Sequence, residues 1–253
     1  MVRVVLFDID GTLIRTGGAG TTAFARTSAL AFGRPGGTQG LVFHGRTDTS
    51  LVREYLRLHG MIPALGVESG AAWEAEGSGR AAADTDTDTE AELVRHFLET
   101  YLFLLDDQLE ASRGEICPGV SDWLDGLAEA PDPPVLGLLT GNIRLGAELK
   151  LRAHGLWDRF EVGAFADDHQ DRGQIAAAAK RRAERRLGRP VSGEEVVVVG
   201  DTALDVACAR AIGARCLAVA TGGVPEPELA RHEPDWLVPD LRALPVREWL
   251  SQN

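Results

Sequence analysis

The chain has 253 residues, 27.1 kDa, 44% apolar and 25% charged, the composition of a folded globular protein rather than a disordered one. A formal net charge of −12 argues against a nucleic-acid partner, and no apolar run approaches the ~18 residues of a membrane span. Three cysteines without C-x-x-C spacing (Cys117, Cys208, Cys216) argue against a disulfide framework or zinc site, and with no charged, apolar leader at the start the expected location is cytoplasmic.

Taken in chain order, VRVVLF (2–7) predicts a buried strand that ends at Asp8-Ile9-Asp10-Gly11-Thr12. The stretch from about Arg15 to Glu115 then carries helical patterns near 19–32, 48–60 and 90–110. The middle helix has Thr47 or Asp48 as N-cap and Leu51, Val52, Tyr55, Leu56 and Leu58 on one face. LVF (41–43) is a weak strand signal, and the Gly/Ala/Asp/Thr-rich segment 66–90 is expected to be a mobile loop. Gly18-Ala19-Gly20-Thr21-Thr22-Ala23 matches G-x-G-x-x-A, but it starts ten residues beyond the strand, too far for a dinucleotide site.

Beyond 116, strands and helices alternate. Helices are expected at 120–130, 144–154, 174–187 and 204–212. Strands are expected at 135–139, 160–165, 196–199, 215–220 and 236–238. This alternation implies an α/β fold with a parallel sheet covered on both faces, interrupted by a helical insert. Right-handed crossovers put every strand C-terminus on one edge, where ligands bind in such sheets. The expected division is a core of 1–15 and 116–253 and an insert of 16–115.

Polar residues crowd that edge. Asp8 and Asp10 share a direction by the period of two. Two carboxylates so close repel unless a cation or a proton lies between them, which suggests a Mg2+ site with one carboxylate as nucleophile. The alternative is a solvated Asp-Gly turn. Asp201 follows the strand 196–199 and Asp205 lies one helical turn on; the alternative makes Asp201 an N-cap and Asp205 a favourable first-turn acid. Thr140-Gly141-Asn142 suits phosphate oxygens, or else an ordinary N-cap.

An aspartate nucleophile in phosphoryl transfer needs a fixed cation beside it. Of 26 basic residues, only Lys150 and Lys180 are lysines. Lys180 is placed two turns into its helix and Lys150 at the far end of its own, so Arg172, just before a helix at the right edge, is preferred for that role. Arg46 is a candidate contact for a substrate carboxylate or phosphate, or a solvated Arg at a helix start.

DIDGT (8–12), LLTGN (138–142) and GDTALD (200–205), in this order, resemble the first, second and fourth motifs of the haloacid dehalogenase superfamily of Mg2+-dependent phosphohydrolases. Where the third motif usually carries lysine and proline, this chain carries Arg172-Gly173. HGRTDTSL (44–51) and CPGVSDWLDGL (117–127) are similar to segments of phosphoglycolate-phosphatase-like members, and the insert occupies the position of the helical cap.

The resemblance implies a Rossmann-like three-layer core with an α-helical cap. It implies that Asp8 attacks phosphorus and forms an aspartyl-phosphate, and that Asp10 protonates the leaving oxygen and then activates water. Thr140, Gly141, Asn142 and Arg172 would hold the phosphate. Mg2+ would be bound by Asp8, the Asp10 backbone carbonyl and Asp201, with Asp205 orienting its waters or neighbouring groups.

The expected activity is hydrolysis of a small phosphorylated metabolite, phosphoglycolate- or sugar-phosphate-like, by a monomer or homodimer with no membrane partner. A phosphomutase on the same core and a non-catalytic phosphate-binding or regulatory protein are the alternatives. A Schiff-base hydrolase is excluded, since residues 15–115 contain no lysine. Retention of Asp10 and Asp201 argues against a dehalogenase.

Overall fold

A computed structural model describes residues 1–63 and 81–252. Its centre is the first strand, β1 (Val4–Phe7), which is four apolar residues with no exposed face. After it come β2 (Ile14–Arg15), α1 (Ala19–Phe32), α2 (Asp48–Leu58), α3 (Ala81–Ala111) and β3 (Glu115–Ile116). The alternating part follows as α4 (Val120–Ala128), β4 (Val135–Leu139), α5 (Arg144–Arg152), β5 (Val162–Ala164), α6 (Arg172–Leu187), β6 (Val196–Gly200) and α7 (Ala203–Ala211). It closes with β7 (Arg215–Val219), α8 (Glu226–Ala230), β8 (Trp236–Val238) and α9 (Val246–Gln252).

Six strands form one sheet in the order β5-β4-β1-β6-β7-β8, and all its pairings are parallel. The register positions the chemistry. Phe7 is level with Leu138 on β4 and Val199 on β6. Asp8 therefore emerges between the two strands whose ends carry Thr140 and Asp201.

Alternate residues of each strand point to opposite faces, and each face has its own core. Val5, Phe7, Leu138, Val197 and Val199 pack with Trp123 and Leu124 of α4, Ala147 and Leu151 of α5, and Trp249 of α9. Val4, Leu6, Leu139, Val196 and Val198 pack with Ile175 and Ala179 of α6 and Val206 and Ala209 of α7. The result is a three-layer α/β core. Trp123 anchors the first layer: its ring lies 5.0 Å from that of Trp249, and its Nε1–H donates to the Leu244 carbonyl at 2.6 Å. We expect Trp123→Ala to lower unfolding stability by about 3–5 kcal/mol, read from urea midpoints, because it removes a fully buried side chain and its hydrogen bond to a half-buried residue.

The helices α1, α2 and α3 build a separate apolar cluster around Phe24, Tyr55, Phe97 and Tyr101. Phe24 and Phe97 are 4.5 Å apart by ring centroids, and Tyr55 and Phe97 are 5.1 Å apart. The two-stranded ribbon β2–β3 joins this insert to the sheet at both crossings. Sequence patterns did not anticipate it, since two residues per strand leave no period to read.

Two expectations need correction. Residues 41–43 form no strand: Val42 is exposed and no strand edge lies beside it. Residues 81–90, expected within the low-complexity loop, are the first turns of α3. The alanines at 81–83 favour helix, and acidic residues suit a helix N-terminus. Residues 66–80 of that expected loop lie outside the described residues. Among the described residues no helix is long and apolar enough to cross a membrane.

Candidate active site

The ends of β1, β4 and β6, the start of α6 and the N-terminal ends of α1 and α2 enclose a cavity of about 680 Å3. Asp8, Asp10, Arg46, Thr140, Gly141, Asn142, Arg172 and Asp201 all line it. Each expected site residue except Asp205 is thus on one cavity wall, and Asp205 is fully buried directly behind it.

Asp8 is 5% exposed, which rules out the solvated turn. Its carboxylate, with those of Asp201 and Asp205, offers oxygens that all lie within 4.8 Å of one another. Burial pushes Asp8 up to about 7; the Asp205 charge adds to this, the Arg172 guanidinium opposes it, Asp10 raises it further and the Thr140 hydroxyl lowers it. Burial likewise pushes Asp201 up to about 8, with Asp205 and Asp8 adding to it and the Thr12 hydroxyl opposing. Three buried carboxylates facing one guanidinium are short of positive charge.

Arg172 is the first residue of α6, after the Asp171 N-cap whose side chain accepts from the Gln174 N–H. Its Nη2 donates to Asp205 Oδ1 at 2.6 Å and lies 3.6 Å from Asp8 Oδ1, while Nη1 donates to the Gly45 carbonyl at 2.9 Å. The fork therefore reaches the expected nucleophile, Asp205 and the insert together. Asp205 accepts at Oδ2 from both the N–H and the hydroxyl of Thr202, closing a capping box. The N-cap of α7 is Thr202, so Asp201 is not the cap. Its Oδ1 instead accepts from Thr12 at 2.9 Å.

Glycines leave the room Asp201 occupies. A Cβ at Gly222 would lie 1.6 Å from Asp201 Oδ2, and one at Gly11, where φ is +86°, would lie 2.6 Å from the same oxygen. We expect Gly222→Ala to displace Asp201, to lower stability by about 1–3 kcal/mol, and to abolish stabilisation by MgCl2 in a thermal melt.

Thr140 is not an N-cap either. That position of α5 belongs to Ile143, and the Thr140 hydroxyl accepts from Asn142 Nδ2 at 2.8 Å and favours the ionised form of Asp8. Arg46 also lines the cavity, with its guanidinium 2.6 Å from Glu54 in a partly exposed pair. A Cβ at Gly141 would meet the Arg46 carbonyl at 2.3 Å, so only glycine lets the insert loop approach so closely.

The family model for haloacid dehalogenase-like hydrolases matches residues 2–213. The chain belongs to that family. No curated protein sequence matches it. Solved structures share the fold of this haloacid dehalogenase-like hydrolase at low identity. A hydrolase from Pseudomonas syringae is 18% identical with a TM-score of 0.66, covering 100% of this chain and 99% of its own. CbbY from Rhodobacter sphaeroides, in complex with phosphate, is 20% identical with a TM-score of 0.63, covering 96% of both chains. A predicted phosphoglycolate phosphatase from Haemophilus somnus is 14% identical with a TM-score of 0.62, covering 100% of this chain and 98% of its own.

Two residues of this haloacid dehalogenase-like hydrolase join the site beyond those that the sequence patterns point to. Lys150, expected far from the edge, lines the cavity, and its Nζ donates to Asp10 Oδ2 at 2.6 Å. Side chains on a helix lean toward its N-terminus, and the long lysine stem carries the ammonium the remaining distance. A signal was available: Gly146, Ala147, Lys150 and Leu151 are the buried stripe of α5, and a lysine within such a stripe is an anomaly.

Of the two candidate caps of α2, Thr47 has the place and accepts from the Ser50 N–H. The Asp48 carboxylate instead accepts from the Ile143 N–H at 2.8 Å, capping α5 across the insert–core boundary. No local pattern announces a cap supplied from 95 residues away. Lys180 stays outside the cavity; its Nζ is 3.5 Å from the Ile212 carbonyl.

Proposed function

We propose that this hydrolase is a Mg2+-dependent phosphatase of small phosphorylated metabolites, acting through an aspartyl-phosphate. The observation that carries the reading is the surrounding of Asp8. A buried carboxylate has a guanidinium and a hydroxyl on one side and a second carboxylate on the other, on the floor of a cavity large enough for a small ester.

The donor set fits a divalent cation such as Mg2+. Asp8 and Asp201 are hard oxygen donors whose ionised forms are disfavoured by burial and by neighbouring carboxylates, a cost that a bound cation would relieve. Asp8, Asp201 and the backbone carbonyl of Asp10 would hold the ion. When bound, it neutralises charge on the phosphoryl oxygens in the transition state. Asp205 has its oxygens engaged by Arg172 and Thr202 and so holds the guanidinium in place.

The protein side of the mechanism follows from position. Thr140, the Gly141 and Asn142 backbone and Arg172 hold the phosphoryl oxygens, and Asp8 attacks phosphorus in line with the leaving group. Asp10, 41% exposed at its side chain and on the cavity wall, gives a proton to the leaving oxygen. It then takes one from the water that hydrolyses the aspartyl-phosphate. Arg46 at the mouth contacts the remainder of the substrate. The structural neighbours described as holding phosphate or as a phosphoglycolate phosphatase are consistent with this class.

The test is phosphate release from a panel of small phosphate esters, with MgCl2 and with EDTA. Mg2+-dependent release supports the reading; release unaffected by EDTA, or none from any ester, overturns it.

A further inference from the structure

Lys150 is 5% exposed at its side chain and carries its charge into the core of the molecule. Burying an ammonium is unfavourable by several kcal/mol unless it is paired, and an apolar side chain at the same place in the α5 stripe would avoid that loss. Asp10 supplies the partner, with its Oδ2 2.6 Å from the ammonium.

Its contacts form a closed triangle. Nζ donates to Asp10 Oδ2 and to Asn142 Oδ1, both at 2.6 Å. Asn142 Nδ2 donates to the same Asp10 Oδ2 at 2.8 Å and to Thr140 Oγ1 at 2.8 Å. One oxygen of Asp10 is therefore held by two donors, and Oδ1 is left for the cavity. The insert bounds this triangle: a Cβ at Gly20 would lie 3.5 Å from the Tyr101 hydroxyl and 3.7 Å from Lys150 Nζ.

We propose that Lys150 is a positioning residue for the acid–base step: with Asn142 it clamps Asp10 Oδ2, so that Oδ1 is presented to the leaving-group oxygen. This rests on the phosphatase reading above. The step is balanced. As the ester P–O bond breaks and the Asp8 O–P bond forms, the proton on Asp10 Oδ1 passes to the leaving oxygen. In the second half, Oδ1 takes the proton of the attacking water as the Asp8–phosphorus bond breaks. Lys150 exchanges no proton and touches no reacting atom.

Leaving-group dependence separates this role from phosphate binding or plain stability. p-Nitrophenolate leaves without needing a proton, whereas phenolate leaves far better with one. A series of substituted phenyl phosphates, from p-nitrophenyl to phenyl, is assayed with wild type, Lys150→Met and Lys150→Arg. In Lys150→Met, kcat for phenyl phosphate is expected to fall on the order of 100-fold, and for p-nitrophenyl phosphate by less than about 10-fold, with KM little changed. Lys150→Arg, which keeps a cation, is expected to recover about 10-fold of the loss on phenyl phosphate.

Equal losses across the series, a loss confined to KM, or no loss would overturn the proposal and leave the phosphatase reading standing. If Lys150→Met does not fold by its thermal melt, Lys150→Arg alone decides: an unchanged leaving-group slope overturns the proposal, and a steeper slope than wild type supports it. Wild type that hydrolyses no ester of the series would overturn both.

Discussion

Asp8→Asn is expected to lose hydrolysis of every ester on the order of 10⁴-fold or more, because a neutral amide of the same shape cannot attack phosphorus. The same variant is expected to melt at a higher temperature than wild type in EDTA at pH 8. Burial, with the charges of Asp205 and Asp10, raises Asp8 to about 7, so near pH 8 the folded protein carries a carboxylate that its surroundings disfavour. The amide removes that charge while leaving Arg172 its 2.6 Å bond to Asp205. Steady-state kinetics and a melting curve on one preparation check both halves. Activity retained within 100-fold would remove Asp8 from the nucleophile role, and a lower melting temperature would show that its charge stabilises the fold.

The second large effect concerns pH and the cation together. Asp8 at about 7, Asp201 at about 8 and Asp48 at about 6 all lie above the ordinary aspartate value of 3.8, mainly because they are buried. The folded state thus binds more protons than the unfolded chain between about pH 4 and pH 8. A group raised in this way favours folding below its unfolded pKa, and that contribution is lost as pH rises through the folded value. In EDTA, stability is therefore expected to decline from pH 5 to pH 8. Asp168, held low by Arg182 against the upward push of its burial, titrates below this window and does not offset the trend.

If the carboxylates hold magnesium as proposed, the ion is expected to reverse the loss where they are ionised. At ~100 times its dissociation constant the expected gain at pH 8 is about 2.7 kcal/mol, roughly 5–10 °C for a chain of this length. At pH 5 protons compete for the same oxygens and the shift is expected to be small. Melting curves at the two pH values with MgCl2 and with EDTA read this directly. An equal magnesium shift at both would place the ion away from Asp8 and Asp201.

Much of this site is legible along the chain because it lies at strand ends. A buried strand needs only a run such as VVLF or VVVV, and the polar residue that follows is placed at the sheet edge by the fold class alone. That is why Asp8, Thr140 and Asp201 converge as expected. Arg172 is legible for a related reason: it follows a strand and opens a helix, so few residues separate it from the edge.

Lys150 and Asp48 escape such reading because their positions depend on tertiary reach. Lys150 spans most of a helix to meet Asp10, and Asp48 caps a helix that belongs to another part of the chain. The ribbon β2–β3 and the first turns of α3 escape for opposite reasons. One is too short to show a period, and the other is hidden in a polar, repetitive composition.

The contacts that hold the residue 45–48 loop against the core are polar. They run from Arg172 to the Gly45 carbonyl, from the Asp48 N–H to the Gly141 carbonyl, and from the Ile143 N–H to the Asp48 carboxylate. Water can replace each of these partners, so parting this seam forfeits only about 0.5–1.5 kcal/mol for each neutral bond, and somewhat more where Arg172 or Asp48 brings a charge. An apolar seam of the same extent would resist wetting throughout its separation. The 45–48 segment is therefore held by bonds that water can replace, whereas α3 meets α5 through apolar side chains, with Leu102 and Leu105 beside Gly146 and Leu149 packed on the insert cluster. Parting the segment alone would release the Ile143 N–H from Asp48 and one anchor of the Arg172 guanidinium.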